Sequence, residues 1–299
     1  MAMRRPAPPT YPALGNIAGW RAYAASMEQV MLPVMRQRSA HVAADVDEMD
    51  VDGVRVFVVT PHALSPDAPG VLLDIHGGAF IVCGGDCCRA EAISLAGDMQ
   101  ARVWSVDYRM PPDHPYPAAL DDCLAVYRRL LQVRRAEEIV VGGASAGANL
   151  AAALVLRARD EGLPLPAGAV LHTPALDLTN AGDSIETNKG LDAVLTGDMD
   201  VISHLYAGGH DLKHPYLSPV FGDLSRGFCA TFLSAGTRDL FLSDAVRMHG
   251  ALRAADVPAE LHITEAASHG GFHGAPEEER LNREARKFIH ARFRSAARR

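Results

Sequence analysis

The stretch that most constrains this chain runs from Ile139 to Leu150, Ile-Val-Val-Gly-Gly-Ala-Ser-Ala-Gly-Ala-Asn-Leu. It opens with a β-branched run, which favours a buried strand. It closes in Ala-rich sequence that continues to Ala158 and has high helix propensity. Between the two lies Gly143-x-Ser145-x-Gly147. A strand that turns straight into a helix through this pattern lifts the serine hydroxyl off the end of a sheet. The turn brings backbone against backbone, so the positions beside it must be small. Every residue from Gly142 to Gly147 is Gly or Ala except Ser145. A phosphate-cradling loop of similar composition wants a Lys after its last glycine. Ala148 stands there instead.

A chain of 299 residues can build one large α/β unit with a sizeable core. Its net charge of −7 argues against a nucleic-acid partner. No apolar run approaches the roughly 18 residues that a membrane span needs. Met1 to Pro12 carries Arg4 and Arg5 and then Pro6, Pro8, Pro9 and Pro12. It reads as a flexible arm without the apolar centre of a signal peptide. The cysteines (Cys83, Cys87, Cys88, Cys123, Cys229) are odd in number and scattered, which suggests reduced thiols in a cytoplasmic protein. Cys83, Cys87 and Cys88 have no fourth ligand nearby at zinc spacing, so no metal is expected.

Along the chain, buried strands alternate with helices. Trp20 to Arg38 reads as an amphipathic helix interrupted at Pro33. A hairpin follows, His41–Met49 and Val54–Thr60, around Asp52-Gly53. Strands are expected at Val71–Ile75, Val103–Tyr108, Gly168–His172, Ala230–Ala235 and Ala259–Thr264. Helices are expected near Arg89–Gln100, Ala118–Gln132, Ser243–Ala255 and Pro276–Phe293. Thr173 to Leu217 breaks the rhythm and reads as a lid, with helical patterning over Thr196–Tyr206. The whole argues for a mostly parallel sheet with helices on both faces.

A serine hydroxyl needs a base, and the base needs an acid to orient it. When a serine sits on this kind of turn, the acid follows it and the histidine comes last. Asp239 stands just past the strand Ala230–Ala235, and His269 just past Ala259–Thr264. Neighbouring strands lie about 5 Å apart, so the two loops can meet. Other residues fit less well. His273 is the main competitor for the base. Asp244 suits a helix N-terminus. Asp107 precedes the serine, which is the wrong order. His204, His210 and His214 do not share one helix face. Small residues in His76-Gly77-Gly78-Ala79-Phe80, directly after a buried strand, leave backbone N–H groups free to face an oxyanion. The N–H of Ala146 can join them.

With these residues in place, the chain resembles the hormone-sensitive-lipase-like bacterial esterases of the α/β-hydrolase superfamily. His76-Gly77-Gly78-Ala79-Phe80 is similar to that family's His-Gly-Gly-Gly-Phe loop. Tyr108-Arg109 through Asp121-Asp122 resembles its Tyr-Arg-Leu-Ala-Pro-Glu-His-Pro segment. Gly143 to Gly147, Asp239 and His269 match its elbow, acid and base. The resemblance implies an α/β-hydrolase fold, an eight-stranded, mostly parallel sheet flanked by helices, with a helical cap. The cap would comprise residues 1–44 and 178–215, and the core residues 45–177 and 216–299. It implies Ser145, Asp239 and His269 as the triad, and an oxyanion hole built from Gly77, Gly78, Ala79 and Ala146. His76 would hold that loop. Phe80, Trp20, Tyr23, Leu205 and Tyr206 would line the substrate pocket. The expected function is a serine carboxylesterase for short- to medium-chain acyl esters, with no cofactor. A lactone, carbamate or amide hydrolase uses the same triad. Ligand-binding relatives on this fold typically lose the histidine, and His269 is present. Three positions depart from the family pattern: Ala79 replaces a glycine, Ala144 often is Asp, and Ala148 replaces a glycine. Ala259–Thr264 would be the last strand, and an open edge can pair with its copy in a homodimer.

Overall fold

Val71–Ile75 is buried at every position, as a strand covered on both faces must be. It lies near the middle of one eight-stranded sheet in a computed structural model that describes residues 9–65, 68 and 70–297. In chain order the strands are β1 (Ala44–Val51), β2 (Val54–Pro61), β3 (Val71–Ile75) and β4 (Arg102–Asp107). β5 (Ile139–Ala144), β6 (Gly168–His172), β7 (Thr231–Gly236) and β8 (Ala259–Thr264) follow. In space the order is β1-β2-β4-β3-β5-β6-β7-β8. Only β2 runs against its neighbours, and every pairing from β4 to β8 is parallel. The C-terminal ends of β3, β5, β7 and β8 therefore open on one edge, where sites in such sheets form.

The helices are α1 (Ile17–Ser39), α2 (Asp86–Met99), α3 (Ala118–Leu131) and α4 (Ala146–Asp160). They continue with α5 (Asp183–Thr187), α6 (Met199–Ala207), α7 (Leu242–Ala254) and α8 (Pro276–Ala297). Side chains of α3, α4 and α7 fill one face of the sheet. Those of α2 and α8 fill the other. Twelve of the fifteen residues of α4 are buried, which its run of alanines permits against the sheet. Trp20 of α1, Ile202 and Leu205 of α6, and Ile81 and Val82 after β3 share a smaller cluster above the sheet's edge.

Two expectations change. α1 runs unbroken through Pro33. Pro33 and Gln29 both lie on its exposed face, so the carbonyl that loses its N–H partner can turn to water. The N-terminal arm is anchored from Tyr11, whose ring stacks on Trp20 at 5.7 Å. The part of the arm from Met1 to Pro8 lies outside the described residues. Among the described residues no helix is long and apolar enough to cross a membrane.

Asp244, in the first turn of α7, accepts the N–H groups of Leu176 and Asp177 on one carboxylate oxygen. It thereby pins the chain after β6. Burial, more than any other cause, pushes its pKa up to about 7 from 3.8. The fold thus favours its protonated form. That contribution is complete below about pH 4 and is lost as the pH rises through 7. His76 and His172, pushed down to about 4 by burial, act in the opposite sense over the same window. The comparison to make is therefore a variant against the parent. Asp244→Asn keeps the accepting oxygen, and its melting temperature should gain on the parent's as pH rises from 4 to 8. A difference that stays constant with pH would contradict this account.

Candidate active site

Ser145 follows β5 directly and caps α4 with φ 57° and ψ −118°. This is left-handed backbone that a non-glycine residue holds only under constraint. Its N–H donates to the His172 carbonyl at 2.9 Å, and its carbonyl accepts from Asn149 N–H at 3.1 Å. The flanking glycines are steric necessities. A Cβ on Gly143 would stand 2.4 Å from the Ile75 carbonyl oxygen, and one on Gly147 would stand 1.8 Å from it. Buried Asn149 on α4 donates to the carbonyls of Ala175 and Leu217.

The loop after β3 runs against this elbow. A Cβ on Gly77 would lie 3.7 Å from that of Ser145. Gly78 has φ +102°, and its missing Cβ leaves room for the Val82 carbonyl. Ala79 (φ 54°) and Phe80 (φ 64°) follow in the same left-handed region. The Gly78 carbonyl accepts from Ile81 and Val82, closing a tight turn. The N–H groups of Gly78, Ala79 and Ala146 have no hydrogen-bond acceptor among the described residues. His76 is buried, bonds the Gly77 carbonyl through Nδ1 at 2.8 Å, and stacks on Tyr108 at 4.1 Å. The Tyr108 hydroxyl donates to the His76 carbonyl at 2.9 Å. Burial holds the His76 ring neutral.

Asp239 and His269 meet. His269 Nδ1 and Asp239 Oδ1 are 3.0 Å apart, with the two residues 7% and 0% exposed. The same Oδ1 accepts the Phe241 N–H at 2.9 Å. The carboxylate is an acceptor, so Nδ1 carries the proton and Nε2 keeps its lone pair. His273 turns away, exposed and bonded to Glu278 at 2.9 Å. Asp107 is taken by Arg55 and the Gly85 N–H. His204 bonds the Asp200 carbonyl, and His214 accepts the Tyr216 N–H. His76, Cys88 and Asp107 are the one set of side chains among the described residues close enough to share an ion. Asp107 already has its partners there, and Cys88 leans on Ser105 at 3.3 Å.

Two buried residues of the insertion hold these loops. Asp192 accepts N–H groups from Val194 and Leu195 on Oδ1 and from Leu240 on Oδ2. The His269 N–H lies 3.4 Å from both oxygens. Asn188 donates to the carbonyls of Thr237 and Asp239. One short stretch thus touches both the Asp239 loop and the His269 loop. Neither residue stands out in the sequence, where each is a single polar side chain in an irregular segment.

The residues expected in the pocket divide unevenly. Trp20 and Tyr206 are 1% and 0% exposed. Phe80 and Tyr206 stack face to face at 3.8 Å, and Leu205 packs beside Trp20. Their surfaces are spent on holding α1 and α6 to the loop after β3. Tyr23, half-buried, sits edge-on to both Tyr11 and Trp20.

A family model described as alpha/beta hydrolase fold matches residues 72–273. An esterase of Acinetobacter venetianus is 37% identical over 199 residues, covering 66% of this chain and 65% of that protein. The chain therefore spans about two thirds of the length of this curated relative. A crystal structure of an esterase superposes with a TM-score of 0.87 at 38% identity, covering 96% of this chain and 90% of that one. A hormone-sensitive lipase from a metagenome library gives 0.78 at 29% identity, covering 95% and 100%. Matching family model, sheet order and elbow together, the chain belongs to the α/β-hydrolase fold family, in its hormone-sensitive-lipase-like branch.

Proposed function

We propose that this protein is a serine carboxylesterase acting on short- to medium-chain acyl esters. The observation that carries the reading is the Asp239–His269 hydrogen bond, made by loops at the ends of β7 and β8. These lie on the same sheet edge as the serine elbow at the end of β5. Ser145 Oγ attacks the ester carbonyl while His269 Nε2 takes its proton. Asp239 fixes the tautomer and stabilises the imidazolium that forms. The negative charge on the carbonyl oxygen is met by the N–H groups of Gly78, Ala79 and Ala146. Each such donor is worth about 3 kcal/mol in the transition state. His269 then protonates the leaving alcohol, and water hydrolyses the acyl-enzyme by the same route. Gly77 packs the loop against Ser145. α1 and residues 178–215 act as the cap, with Trp20, Phe80, Leu205 and Tyr206 as its frame.

The test is hydrolysis of p-nitrophenyl esters with acyl chains of two to twelve carbons by the purified protein. Activity should be greatest on the short and medium chains. A folded protein inert on every chain would remove the esterase reading and turn attention to lactones, carbamates or amides.

The same reading gives Asp192 a positioning role. Both of its oxygens accept from N–H donors, so an amide would set a donor against a donor on one side. Asp192→Asn should lower kcat about tenfold to a hundredfold through displaced loops, with KM changed much less. Steady-state kinetics with an unchanged kcat would take Asp192 out of the mechanism.

A further inference from the structure

His76 carries a buried nitrogen that the acyl-transfer chemistry leaves unused. The residue is 0% exposed. Its Nδ1 lies 2.8 Å from the Gly77 carbonyl oxygen, an acceptor, so Nδ1 carries the hydrogen. Nε2 therefore keeps a lone pair, and nothing in the protein donates to it. Tyr108, stacked on the ring at 4.1 Å, fixes the ring's orientation. A buried nitrogen without a partner is costly.

Two further donor groups stand beside this ring. A ring nitrogen of His76, Cys88 Sγ and a carboxylate oxygen of Asp107 all lie within 4.8 Å of one another. An ion among them would be no more than about 2.8 Å from each. Zinc bonds to nitrogen, oxygen and sulfur span about 2.0–2.3 Å, so shifts of less than about 1 Å complete them. The bonds already present leave room for an ion. Asp107 Oδ2 takes Arg55, while Oδ1 accepts one N–H, from Gly85 at 2.9 Å, and keeps a second lone pair. Cys88 Sγ contacts only Ser105 Oγ, at 3.3 Å. Burial pushes the Cys88 thiol well above its ordinary pKa, and Asp107, Asp74 and Glu91 push it the same way. A cation at the sulfur turns the effect of these carboxylates from unfavourable to favourable. Imidazole, thiolate and carboxylate together suit Zn²⁺, whereas Ca²⁺ and Mg²⁺ take oxygen alone.

We infer that His76 Nε2, Cys88 Sγ and the Asp107 carboxylate form a Zn²⁺ site, which clamps the end of β3 to the end of β4 and to the first turn of α2. Binding breaks the S–H bond and forms a Zn–S bond, and the proton passes to solvent. His76 is already neutral and Asp107 already pairs with Arg55 as a carboxylate, so neither releases a proton. The site has no spacing signature along the chain, because its three ligands come from three elements. Cys83 and Cys87, the neighbours of Cys88 in sequence, take no part.

The test is titration of the full chain, first stripped with a chelator, with Zn²⁺ and with Co²⁺. The parent should bind one Zn²⁺ at the site. Calorimetry in two buffers of different ionisation enthalpy should show one proton released at pH 7. Co²⁺ should give the near-ultraviolet charge-transfer absorption of a cobalt–thiolate bond. Cys88→Ala should remove that absorption and weaken Zn²⁺ binding at least about a hundredfold. Asp107→Asn, which keeps an oxygen and loses the charge, should weaken it at least about tenfold. Cys87→Ser should bind as the parent does. Absence of saturable Zn²⁺ binding would overturn the inference. So would binding without proton release, a cobalt–thiolate band that survives Cys88→Ala, or one that disappears in Cys87→Ser. If Cys88→Ala does not fold, the proton count and Asp107→Asn decide. None of these readouts needs ester turnover, so a protein inert on esters leaves the inference standing.

Discussion

Ser145→Ala is expected to reduce kcat on p-nitrophenyl butyrate by on the order of 10⁵- to 10⁶-fold, as loss of the nucleophile does in other serine hydrolases. The substitution removes one oxygen and leaves the Cβ in place. The backbone bonds from Ser145 to His172 and Asn149 are untouched. The left-handed φ of 57° strains alanine about as much as serine. The melting temperature should therefore stay within a few degrees of the parent's. This pairing of a lost rate with a kept fold is the informative outcome. Substantial residual turnover would mean that another group attacks the ester, and it would remove Ser145 from the mechanism.

Gly147→Ala should have the largest effect on stability. The added carbon would lie 1.8 Å from the Ile75 carbonyl oxygen and 2.6 Å from that of His76. Both are backbone atoms at the end of a central strand, so no side chain can swing aside. Relief requires α4 to move off the sheet, and α4 is packed on nearly all sides. A cost above about 4 kcal/mol is expected, a large share of the roughly 5–15 kcal/mol that keeps a domain folded. Gly250→Ala in α7 is the control. A Cβ there meets nothing within 4 Å, and the helix should gain about 0.5–1 kcal/mol. Thermal unfolding of the two variants side by side checks the argument. A well-folded Gly147→Ala protein would refute the steric account of the elbow.

The parts of the fold that could be read from the chain are those whose cause is local. β6 and β8 occur over the residues expected, the first as a short buried run and the second as an alternation of apolar and polar residues, each of which leaves little choice of register. The elbow was readable because backbone crowding restricts composition at each of its positions. That Asp239 and His269 can meet is readable because each stands in the loop just past one of two neighbouring strands. Other features depend on distant partners. Pro33 sits inside a helix because its freed carbonyl faces water, which depends on which side of α1 packs. Aromatic side chains such as Trp20, Phe80 and Tyr206 suit both pockets and cores, and only their partners in space, Tyr11 on Trp20 and Phe80 on Tyr206, separate the two. Asn188 and Asp192 gave no signal, since the carbonyls and N–H groups they hold belong to loops about fifty to eighty residues further on.

The grip of Asn188 and Asp192 bears on how such an enzyme can change its diet. A segment that only roofed a pocket could be traded between relatives as a detachable module, altering what enters while leaving the chemistry alone. Here the segment also acts as a buttress for the loops of Asp239 and His269. A transplanted segment lacking these two side chains would bring a new opening and slacken the loops of Asp239 and His269 at the same time. New preferences in this lineage should therefore arise more readily by single replacements around the opening than by wholesale exchange of residues 178–215.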